Sequence, residues 1–557
     1  MRLFLVLALT LILLATQTPA LPSTAQTPTT TPALPTAVGV TVTSVTPNSG
    51  STVSPTPITV SGTGFTQGAT ILIGGRLLQT TFVDASTLRA TVPVGLPVGA
   101  YGVGVVISNS ATNVLPSAFT VVGLGSELFI PIAVKNAGGD DSGIQVQNTG
   151  SGSATVYLLY YDQAGNAVAA DGPQIVAGGN SWTFYQPAEP SLPSGFDGSA
   201  VAHSTQPVAA IVNRVNYTGA LASAGSLTVP GASTATQATL PMVYGGLNGY
   251  VTTISVQNTG TSQGTYNVTL QPNGFSSPAV NTQISVPALA VRRIRVGTDI
   301  GVPFGFVGNA SITSISGSPL IAVAETLNSS TSIRLGYAGA SNGATVLNAP
   351  LLYKNYGGWE STAQVANMSN ATITVNATLR YRDTPQTLGL PPVTLAPGQS
   401  NLYDIAAIPN LPDEWVGSAV FTTTGPASAT VQEVNSGRAT GMQYSAFSAG
   451  TSSISIPLIF KDANAWDTGV QVQNLGTIET TLTITYFLPT GFSLGESAVV
   501  APGDSVTFYQ PSNPSLPSNL TGSATVTSTG QPIVAIVNEV NYIRGGDAAM
   551  AYEGINY

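Results

Sequence analysis

The stretch IQVQNTG at residues 144–150 recurs three more times along the chain, as ISVQNTG at 254–260, AQVANMS at 363–369 and VQVQNLG at 470–476. The last residue that all four copies share is an asparagine: Asn148, Asn258, Asn367 and Asn474. Successive asparagines are 110, 109 and 107 residues apart. A spacing this regular predicts that one structural unit of about 107 residues is present four times.

Other landmarks recur in the same frame. A proline stands 17 residues before each of these asparagines, at Pro131, Pro241, Pro350 and Pro457. A glycine followed by a small pair comes later, at Gly198, Gly308, Gly417 and Gly522. The segments AIVNRVN, AVAETLN, ATVQEVN and AIVNEVN then end at Asn216, Asn328, Asn435 and Asn541. We therefore divide the chain into repeat 1 (125–232), repeat 2 (236–343), repeat 3 (346–452) and repeat 4 (453–557).

Within each repeat, short segments of alternating apolar and polar residues are separated by turn residues every 8–12 positions or so, a pattern typical of β-strands. In repeat 1 the segments are SELFIPIAV, GIQVQN, ATVYLLYYD, SWTFYQ, GSAVAHS and AAIVNRVN. A unit of this length predicts an antiparallel β-sandwich of immunoglobulin-like size. The fold class expected for the whole chain is all-β, a tandem array of such sandwiches.

A second duplicated stretch reads FYQPAEPSLPSGFDGSA at 184–200 and FYQPSNPSLPSNLTGSA at 508–524. Its prolines stop strand pairing and favour an extended crossing segment. Two positions before the recurring glycine stands a large apolar residue in every repeat, namely Phe196, Phe306, Trp415 and Leu520. We expect this residue to return into the core, so the stretch is a structural part of a copied unit rather than a site used twice.

The N-terminus indicates the compartment. Residues 1–25 hold one basic residue, an apolar run from Leu3 to Ala15 and then small residues, as in a secretory signal peptide. The run is shorter than the roughly 20 residues that span a bilayer. Residues 26–39 form a spacer rich in threonine and proline. The protein is expected to be secreted, to remain at the cell surface, and not to span the membrane once the signal is cleaved.

Between the spacer and repeat 1, residues 40–122 contain segments of alternating apolar and polar residues, separated by turn residues at distinctive positions. The turns and core landmarks of IPT/TIG domains have counterparts here at Pro47 to Gly50, Gly62 to Phe65, Gly74 and Gly75, Pro93, Gly99 to Tyr101, and Phe119. The segment resembles this immunoglobulin-like family. The resemblance implies a β-sandwich found in many extracellular proteins, and it implies no reaction.

Composition excludes several function classes. Only 7% of the 557 residues are charged and the net charge is −9, which argues against nucleic acid as a partner. There is no cysteine and only one histidine, His203, for which we expect a solvent-facing strand position. Catalysis needs an activated nucleophile, a poised acid or base, or a metal with at least three protein ligands. No such set is visible, so no catalytic residue, cofactor site or enzymatic activity is predicted.

Two weaker patterns remain. Three repeats place a lysine six residues before a carboxylate, in the pairs Lys135 and Asp141, Lys354 and Glu360, and Lys461 and Asp467. The pattern predicts a local salt bridge, and the sharper alternative is a Ca²⁺ site at Asp141, Glu360 and Asp467, although Ca²⁺ takes 6–8 oxygen ligands. Trp359 and Trp466 stand beside these acids, where they either cap their own sandwich or stack on a bound sugar ring.

The function that these patterns favour is a non-enzymatic structural or adhesive protein of the cell surface, a stalk, filament or surface-layer component. Five sandwiches in line would form a rod of roughly 150–200 Å. Its partners would be a cell-surface protein, a polysaccharide or copies of itself. The first alternative is a carbohydrate- or protein-binding receptor that uses the loop tryptophans. The second is an accessory chain of a secreted hydrolase.

Overall fold

The computed structural model describes residues 39–107, 110, 111, 114–218, 223–229, 234–274, 278–382 and 384–556. The predicted signal peptide and nearly all of the spacer lie outside these residues. The described part is all-β, as predicted, and its only helical segments are single 3-10 turns at Gln186–Ala188, Leu247–Gly249 and Gln510–Ser512. No helix among the described residues has the length and apolar character needed to cross a membrane.

The N-terminal domain is a sandwich of two sheets with the orders β1-β3-β7-β6 and β2-β10-β8-β4-β5, and β9 pairs with β8. Its core holds the landmark Phe119 together with Val60, Ile71 and Val103, all fully buried. The strands are β1 (Thr41–Thr46), β2 (Ser49–Ser51), β3 (Thr56–Thr63), β4 (Thr70–Ile73), β5 (Arg76–Leu77), β6 (Thr80–Asp84), β7 (Thr87–Val92), β8 (Gly99–Ile107), β9 (Ser110–Ala111) and β10 (Leu115–Val122).

Repeat 1 shows the plan that the other repeats follow. One sheet has the order β11-β16-β13-β14 and the other β15-β12-β17-β18, with antiparallel pairing throughout. The alternation in the sequence places one face of each sheet in the core between them. The strands are β11 (Ser126–Lys135), β12 (Asp140–Asn148), β13 (Ala154–Tyr161), β14 (Ala167–Val176), β15 (Ser181–Tyr185), β16 (Phe196–Ser204), β17 (Val208–Asn216) and β18 (Ser223–Thr228).

In repeats 2 and 3 the two sheets join into one, and in repeat 3 a single long strand replaces two. Repeat 2 has β19 (Gln237–Gly245), β20 (Tyr250–Asn258), β21 (Gly264–Pro272), β22 (Val280–Val286), β23 (Val291–Arg295), β24 (Phe306–Ser314), β25 (Leu320–Asn328) and β26 (Arg334–Ala338). Repeat 3 has β27 (Ala344–Lys354), β28 (Glu360–Asn367), β29 (Ile373–Tyr381), β30 (Thr387–Gly389), β31 (Val393–Leu395), β32 (Ser400–Asp404), β33 (Trp415–Asn435) and β34 (Thr440–Ser445).

Repeat 4 returns to two separate sheets and adds a short strand at its end. Its strands are β35 (Ser453–Lys461), β36 (Trp466–Asn474), β37 (Thr480–Phe487), β38 (Ser493–Val500), β39 (Ser505–Tyr509), β40 (Leu520–Ser528), β41 (Ile533–Asn541), β42 (Ala549–Glu553) and β43 (Ile555–Asn556).

The recurring asparagine holds two loops together in every repeat. In repeat 1, Asn148 Nδ2 donates to the carbonyls of Gly152 and Val176 at 2.7 and 2.8 Å, and its Oδ1 accepts from the N–H of Gly150 at 2.9 Å. Asn258, Asn367 and Asn474 make the same three types of bond. A buried side chain that satisfies three backbone groups is costly to replace, which explains why this residue recurs.

The duplicated FYQP stretch has a similar explanation. Gln186 is fully buried, and its amide donates to Tyr160 Oη at 3.0 Å while its Oε1 accepts from Ser142 Oγ at 2.9 Å. Gln510 repeats this network with Tyr486 and Thr468. Repeats 2 and 3 place apolar pairs at the equivalent positions, Leu270 with Val296 and Leu379 with Ile405, all buried. The polar pair and the apolar pair are alternative ways to fill the same place in the sandwich.

The residues expected to return into the core do so: Phe196, Phe306, Trp415 and Leu520 are 3–6% exposed. The recurring glycine beside each is required by close approach of the backbone. A Cβ on Gly198 would lie 2.2 Å from the carbonyl oxygen of Tyr161, and one on Gly417 would lie 2.0 Å from that of Arg380. This part of the unit therefore tolerates only glycine without displacement of a neighbouring strand.

The arrangement of the repeats differs from the predicted rod, because the four repeats close into a ring. The last strands β18, β26, β34 and β42 each pack against the next, and β42 packs against β18. Repeat 4 meets repeat 1 directly: Gln147 Nε2 donates to the carbonyl of Ala524 at 3.0 Å, and Ser523 Oγ donates to that of Gly179 at 2.9 Å. An in-line array would leave the first and last repeats far apart.

One sequence position shows how the ring is joined. Val323 of repeat 2 belongs to the core of repeat 1, Ile536 of repeat 4 to that of repeat 3, and Ile211 of repeat 1 to that of repeat 4. These three residues occupy equivalent positions in the AIVN-type segments. The sandwiches of repeats 1, 3 and 4 thus leave part of their cores open, and the following repeat covers each with an outward-facing strand residue; the equivalent residue of repeat 3 is Thr430. Burial of this apolar surface stabilises the closed arrangement.

Candidate functional site: a cleft between repeats 3 and 4

The four junctions of the ring are built from equivalent positions filled by different residues. At the junction of repeats 1 and 2, Arg214 NH1 lies 2.7 Å from Glu325 Oε2. At the junction of repeats 4 and 1, Asn213 Nδ2 donates to Glu539 Oε2 at 3.1 Å. Arg214 and Glu539 are equivalent in their repeats, as are Glu325 and Asn213. The same geometry therefore carries an ion pair at one junction and an amide–carboxyl hydrogen bond at another.

The junction of repeats 1 and 2 is filled by charged side chains. Arg214 NH2 lies 2.6 Å from Asp140 Oδ2, and Arg334 NH2 lies 2.9 Å from Asp140 Oδ1. Burial acts to raise the pKa of Asp140, but Arg214 and Arg334 outweigh it and hold the pKa below its ordinary value. The remaining cleft has a volume of about 240 Å³, because the guanidinium groups occupy most of the space between the repeats.

The junction of repeats 3 and 4 is open instead, with a cleft of about 510 Å³. Its wall on repeat 3 is aromatic. Tyr353 and Tyr356 are stacked with ring centroids 5.9 Å apart, and Trp359 lies 6.2 Å from Tyr353. The end of β27 and the loop between β27 and β28 position these residues, because Tyr353 is the last residue but one of the strand and the backbone of Tyr356 pairs with that of Trp359.

The opposite wall, on repeat 4, presents Tyr509 and Tyr542. Burial raises the pKa of Tyr509 to about 12, and the neighbouring Tyr542 acts in the same direction, so the Tyr509 hydroxyl stays protonated and can donate a hydrogen bond. Tyr356, Tyr509 and Tyr542 are 42%, 39% and 58% exposed. Exposed aromatic surface of this extent, on two facing walls, is available for stacking on a ligand.

Three arginines also line the cleft: Arg382 and Arg438 from repeat 3 and Arg544 from repeat 4. Among the described residues, none of the three forms an ion pair with a carboxylate. The Arg438 guanidinium lies 5.7 Å from the centre of the Tyr542 ring, and that of Arg544 lies 3.7 Å from the Tyr217 ring of repeat 1. These contacts orient the arginines without neutralising them.

A buried carboxyl group lies beside the cleft. Glu433 is fully buried, neither of its oxygens has a hydrogen-bond partner, and burial raises its pKa well above the ordinary value. It corresponds to Glu539, whose partner Asn213 corresponds to Asn538 on the cleft wall. Glu433 also acts on Tyr353, where it adds to the rise in pKa that burial causes. Burial therefore disfavours the charged form of this acid beside the cleft.

The two tryptophans that the sequence indicates both lie where repeats meet. Trp359 packs against Met442 of its own repeat and Ala549 and Ala551 of repeat 4, and lines the cleft. Trp466 is 9% exposed and packs with Ala224 of repeat 1. Each tryptophan caps its own sandwich at the junction with the following repeat. Trp359 therefore borders the cleft between repeats 3 and 4, whereas Trp466 lies at the junction of repeats 4 and 1.

The predicted Lys–carboxylate salt bridges are wrong. Lys135 Nζ donates to the carbonyl of Glu189 at 2.6 Å, and Lys354 and Lys461 donate to carbonyls of the equivalent crossing segments. The carboxylates of Asp141 and Asp467 accept from the backbone N–H groups of Asn136 and Asp462, at 2.7 and 2.9 Å. Each side chain thus satisfies a loop of its own rather than the other.

The Ca²⁺ alternative stays an untested prediction. Asp141, Glu360 and Asp467 belong to three different repeats, and only Asp467 lines the cleft. Within the described ranges, no group of three or more histidine, cysteine, aspartate or glutamate side chains is placed to hold a metal ion.

The expectation for His203 is also wrong. The side chain is 2% exposed, and its Nδ1 lies 3.2 Å from Glu127 Oε1 on the paired strand β11. The equivalent threonines of the other repeats, Thr313, Thr422 and Thr527, are exposed. Comparison among repeats therefore predicted the exposure of this one position incorrectly.

Sequence reasoning did not identify the arginines and tyrosines of the cleft. Tyr356 stands three residues before Trp359 in the same loop, and Tyr542 stands two before Arg544 after the recurring Asn541. The usable signal was the departure of these loops from the other repeats in aromatic and basic content. Because these residues differ from repeat to repeat, the pattern that the repeats share does not contain them.

Comparison with known proteins identifies one part of the chain. Residues 41–121 match the IPT/TIG domain, which confirms the resemblance found in the sequence. No curated protein matches the chain.

Solved structures give only weak likenesses. The chain is similar to Thermotoga maritima 1070 at 16% identity, over 19% of this chain and 94% of that one, with a TM-score of 0.17. It is similar to Yersinia pseudotuberculosis InvD at 10% identity, over 55% and 99%, with a TM-score of 0.13. For trypsin-activated alpha-2-macroglobulin from Escherichia coli the identity is 8%, over 93% and 49%, with a TM-score of 0.13. TM-scores this low carry no argument about function.

Proposed function

We propose that the chain is a non-enzymatic extracellular binding protein that attaches to a saccharide through the cleft between repeats 3 and 4. The observation that carries this function is the pair of facing aromatic walls, Tyr353, Tyr356 and Trp359 against Tyr509 and Tyr542. The C–H faces of a sugar ring are apolar and stack on aromatic rings, while its hydroxyls need the hydrogen-bond donors that tyrosine and arginine supply.

The size of the cleft supports the same function. Its volume of about 510 Å³ lies within the roughly 300–1,000 Å³ that is common for small-molecule sites. The N-terminal IPT/TIG domain is of a kind found in extracellular proteins, and it docks on the ring through Arg76, which donates to the carbonyl of Gly165 in repeat 1 at 3.0 Å. Adhesion through this cleft thus joins the structural and the receptor interpretations of the sequence.

A stalk or filament is less well supported, because a ring places the repeats side by side and adds little length. No observation in the described residues favours an accessory role for a hydrolase. We retain one function, adhesion to a saccharide.

Binding of the full chain to a glycan array tests this function. Tyr356→Ala and Tyr542→Ala remove exposed rings from opposite walls, and we expect each to weaken binding about tenfold, equivalent to roughly 1.4 kcal/mol. Phe304→Ala is the matched control, since Phe304 is 93% exposed on repeat 2, away from the cleft. Trp466→Ala should also leave binding in place. The proposed function is wrong if no glycan binds, or if the Phe304 variant weakens binding as much as the two tyrosine variants.

A further inference from the structure

Positive charge without carboxylate partners is concentrated in this cleft. The whole chain has 15 lysines and arginines against 24 aspartates and glutamates. Three of those 15, Arg382, Arg438 and Arg544, line one cleft. The smaller cleft between repeats 1 and 2 is lined by four arginines, but three of them pair with carboxylates, so the unpaired state of the three arginines here needs an explanation.

Other arginines at the junctions of the ring have carboxylate partners. Arg214 and Arg334 share Asp140, Arg293 pairs with Asp197, and Arg380 Nε lies 3.0 Å from Asp504 Oδ1. In the cleft, by contrast, the partners found among the described residues carry no charge: Arg382 reaches Gln471 Oε1 at 3.5 Å, Arg438 lies over the Tyr542 ring, and Arg544 contacts the Tyr217 side chain. The cleft therefore holds guanidinium groups whose hydrogen-bond donors remain free for an incoming acceptor.

The acids near the cleft do not balance this charge. Asp467 is the one carboxylate on its lining, and its Oδ1 already accepts from the N–H of Asp462. Glu433 is not part of the lining, and burial raises its pKa well above the ordinary value. Three guanidinium groups and one carboxylate leave a net charge of +2 in the cleft of a chain whose formal net charge is −9. An anionic ligand is attracted to such a site, since low-dielectric walls strengthen its interaction with the arginines.

We propose that the saccharide bound between repeats 3 and 4 carries an acidic group, a carboxylate or a sulfate, which Arg382, Arg438 and Arg544 recognise while the sugar ring stacks on the aromatic walls. This inference rests on the proposed function and specifies its ligand class. The planar guanidinium suits both anions, because it donates two parallel hydrogen bonds. Neutral sugars lack the group that these donors address.

Two matched pairs of probes test the inference on the full chain. Oligogalacturonide is compared with its methyl ester, and dextran sulfate with dextran, by calorimetry at low and at physiological salt. We expect at least one acidic probe to bind ten times or more tighter than its neutral counterpart, and to weaken as salt rises. The first pair reports on carboxylate and the second on sulfate.

Arginine variants test whether the preference for the acidic probe comes from the cleft. Arg382→Gln with Arg438→Gln should abolish the preference for the acidic probe, and Arg89→Gln with Arg292→Gln is a control that removes the same charge from exposed positions outside the cleft. If the control loses the preference equally, the net charge of the chain is responsible and the inference fails. Equal binding of acidic and neutral probes overturns the inference and leaves saccharide binding standing. If no probe binds and the glycan array is also empty, the proposed function falls with it.

Discussion

The junction of repeats 1 and 2 and the junction of repeats 3 and 4 are the same place in the ring, made in opposite ways. In the first, Arg214 and Arg334 fill the space and are held by Asp140 and Glu325. In the second, tyrosines and unpaired arginines surround an open volume about twice as large. The packing of Ile536 against the core of repeat 3 and the pair of Arg380 with Asp504 hold this junction together instead.

The difference shows how one repeated fold separates stability from binding. A ring is held at all its junctions, so one junction can be opened without loss of the whole. The residue at the position of Arg214 is threonine, glutamate and glutamate in repeats 2, 3 and 4, as Thr326, Glu433 and Glu539. The junction of repeats 1 and 2 and that of repeats 3 and 4 therefore differ at this position, where Arg214 fills the first and Glu433 lies buried beside the cleft of the second.

The largest change in the free energy of unfolding is expected from a substitution at the closed junction, between repeats 1 and 2. Arg334→Met leaves Asp140 and Glu325 buried with one guanidinium between them, and we expect a loss of about 3–5 kcal/mol in the free energy of unfolding. Urea denaturation followed by intrinsic fluorescence measures it. Arg292→Met, at an exposed position in the same repeat, is the control. A loss below about 1 kcal/mol would mean that the charged network does not hold this junction.

An intermediate effect is expected from pH, with opposite sign at two junctions. Burial raises the pKa of Glu539 to about 8 in the folded protein, against an ordinary 4.5. The folded state then binds this proton more tightly than the unfolded state, so stability is highest below about pH 4.5 and falls as pH approaches 8. For Asp140, whose pKa is lowered, stability is present at neutral pH and is lost as pH falls below its ordinary value of 3.8.

Glu539→Gln separates the two contributions. It keeps the hydrogen bond with Asn213 available and cannot ionise, so we expect the variant to gain on the order of 2 kcal/mol over the native chain at pH 8 and nothing at pH 4.5. Melting temperatures across this range measure the difference. An identical pH profile for the two proteins would show that Glu539 does not titrate at the junction of repeats 4 and 1.

The smallest effect is expected at the open junction. The Arg438 side chain is exposed and lies over the Tyr542 ring without an ion pair among the described residues, so Arg438→Gln should change the free energy of unfolding by less than about 1 kcal/mol. The same urea titration that measures Arg334→Met measures this variant. A loss comparable with that of Arg334→Met would show that Arg438 supports the ring, and the contrast between the two junctions would disappear.

The sequence predicted the features of the fold that lie within a single repeat. Alternation, the recurring Asn148 and the apolar residue before Gly198 follow from the core of one sandwich, and every copy must satisfy them. Contacts between repeats were not predicted, because they depend on residues such as Arg214 and Glu433 that differ from copy to copy. The structure places the variation at these positions where neighbouring repeats meet.

Only one part of the candidate site, the loop that carries Trp359, was predicted from the sequence. Trp359 was singled out as a contact for sugar, but the sequence pattern gives no sign that Tyr509 and Arg544, more than 140 residues later, face the same volume. Their proximity depends on which outer face of repeat 4 the end of repeat 3 contacts. Hydrophobic periodicity distinguishes inner from outer faces and does not say which outer faces pair.

Closure of the ring also bears on how the gene for such a chain can change. In an open solenoid, a repeat can be gained or lost with little penalty, because every internal repeat has the same two neighbours and only the end caps are special. Here removal of one repeat would leave Ile211 or its counterpart without the core it covers, and insertion of a fifth would require every junction to change its angle. The copy number of four is therefore fixed by geometry, and divergence is left to the residues at the junctions.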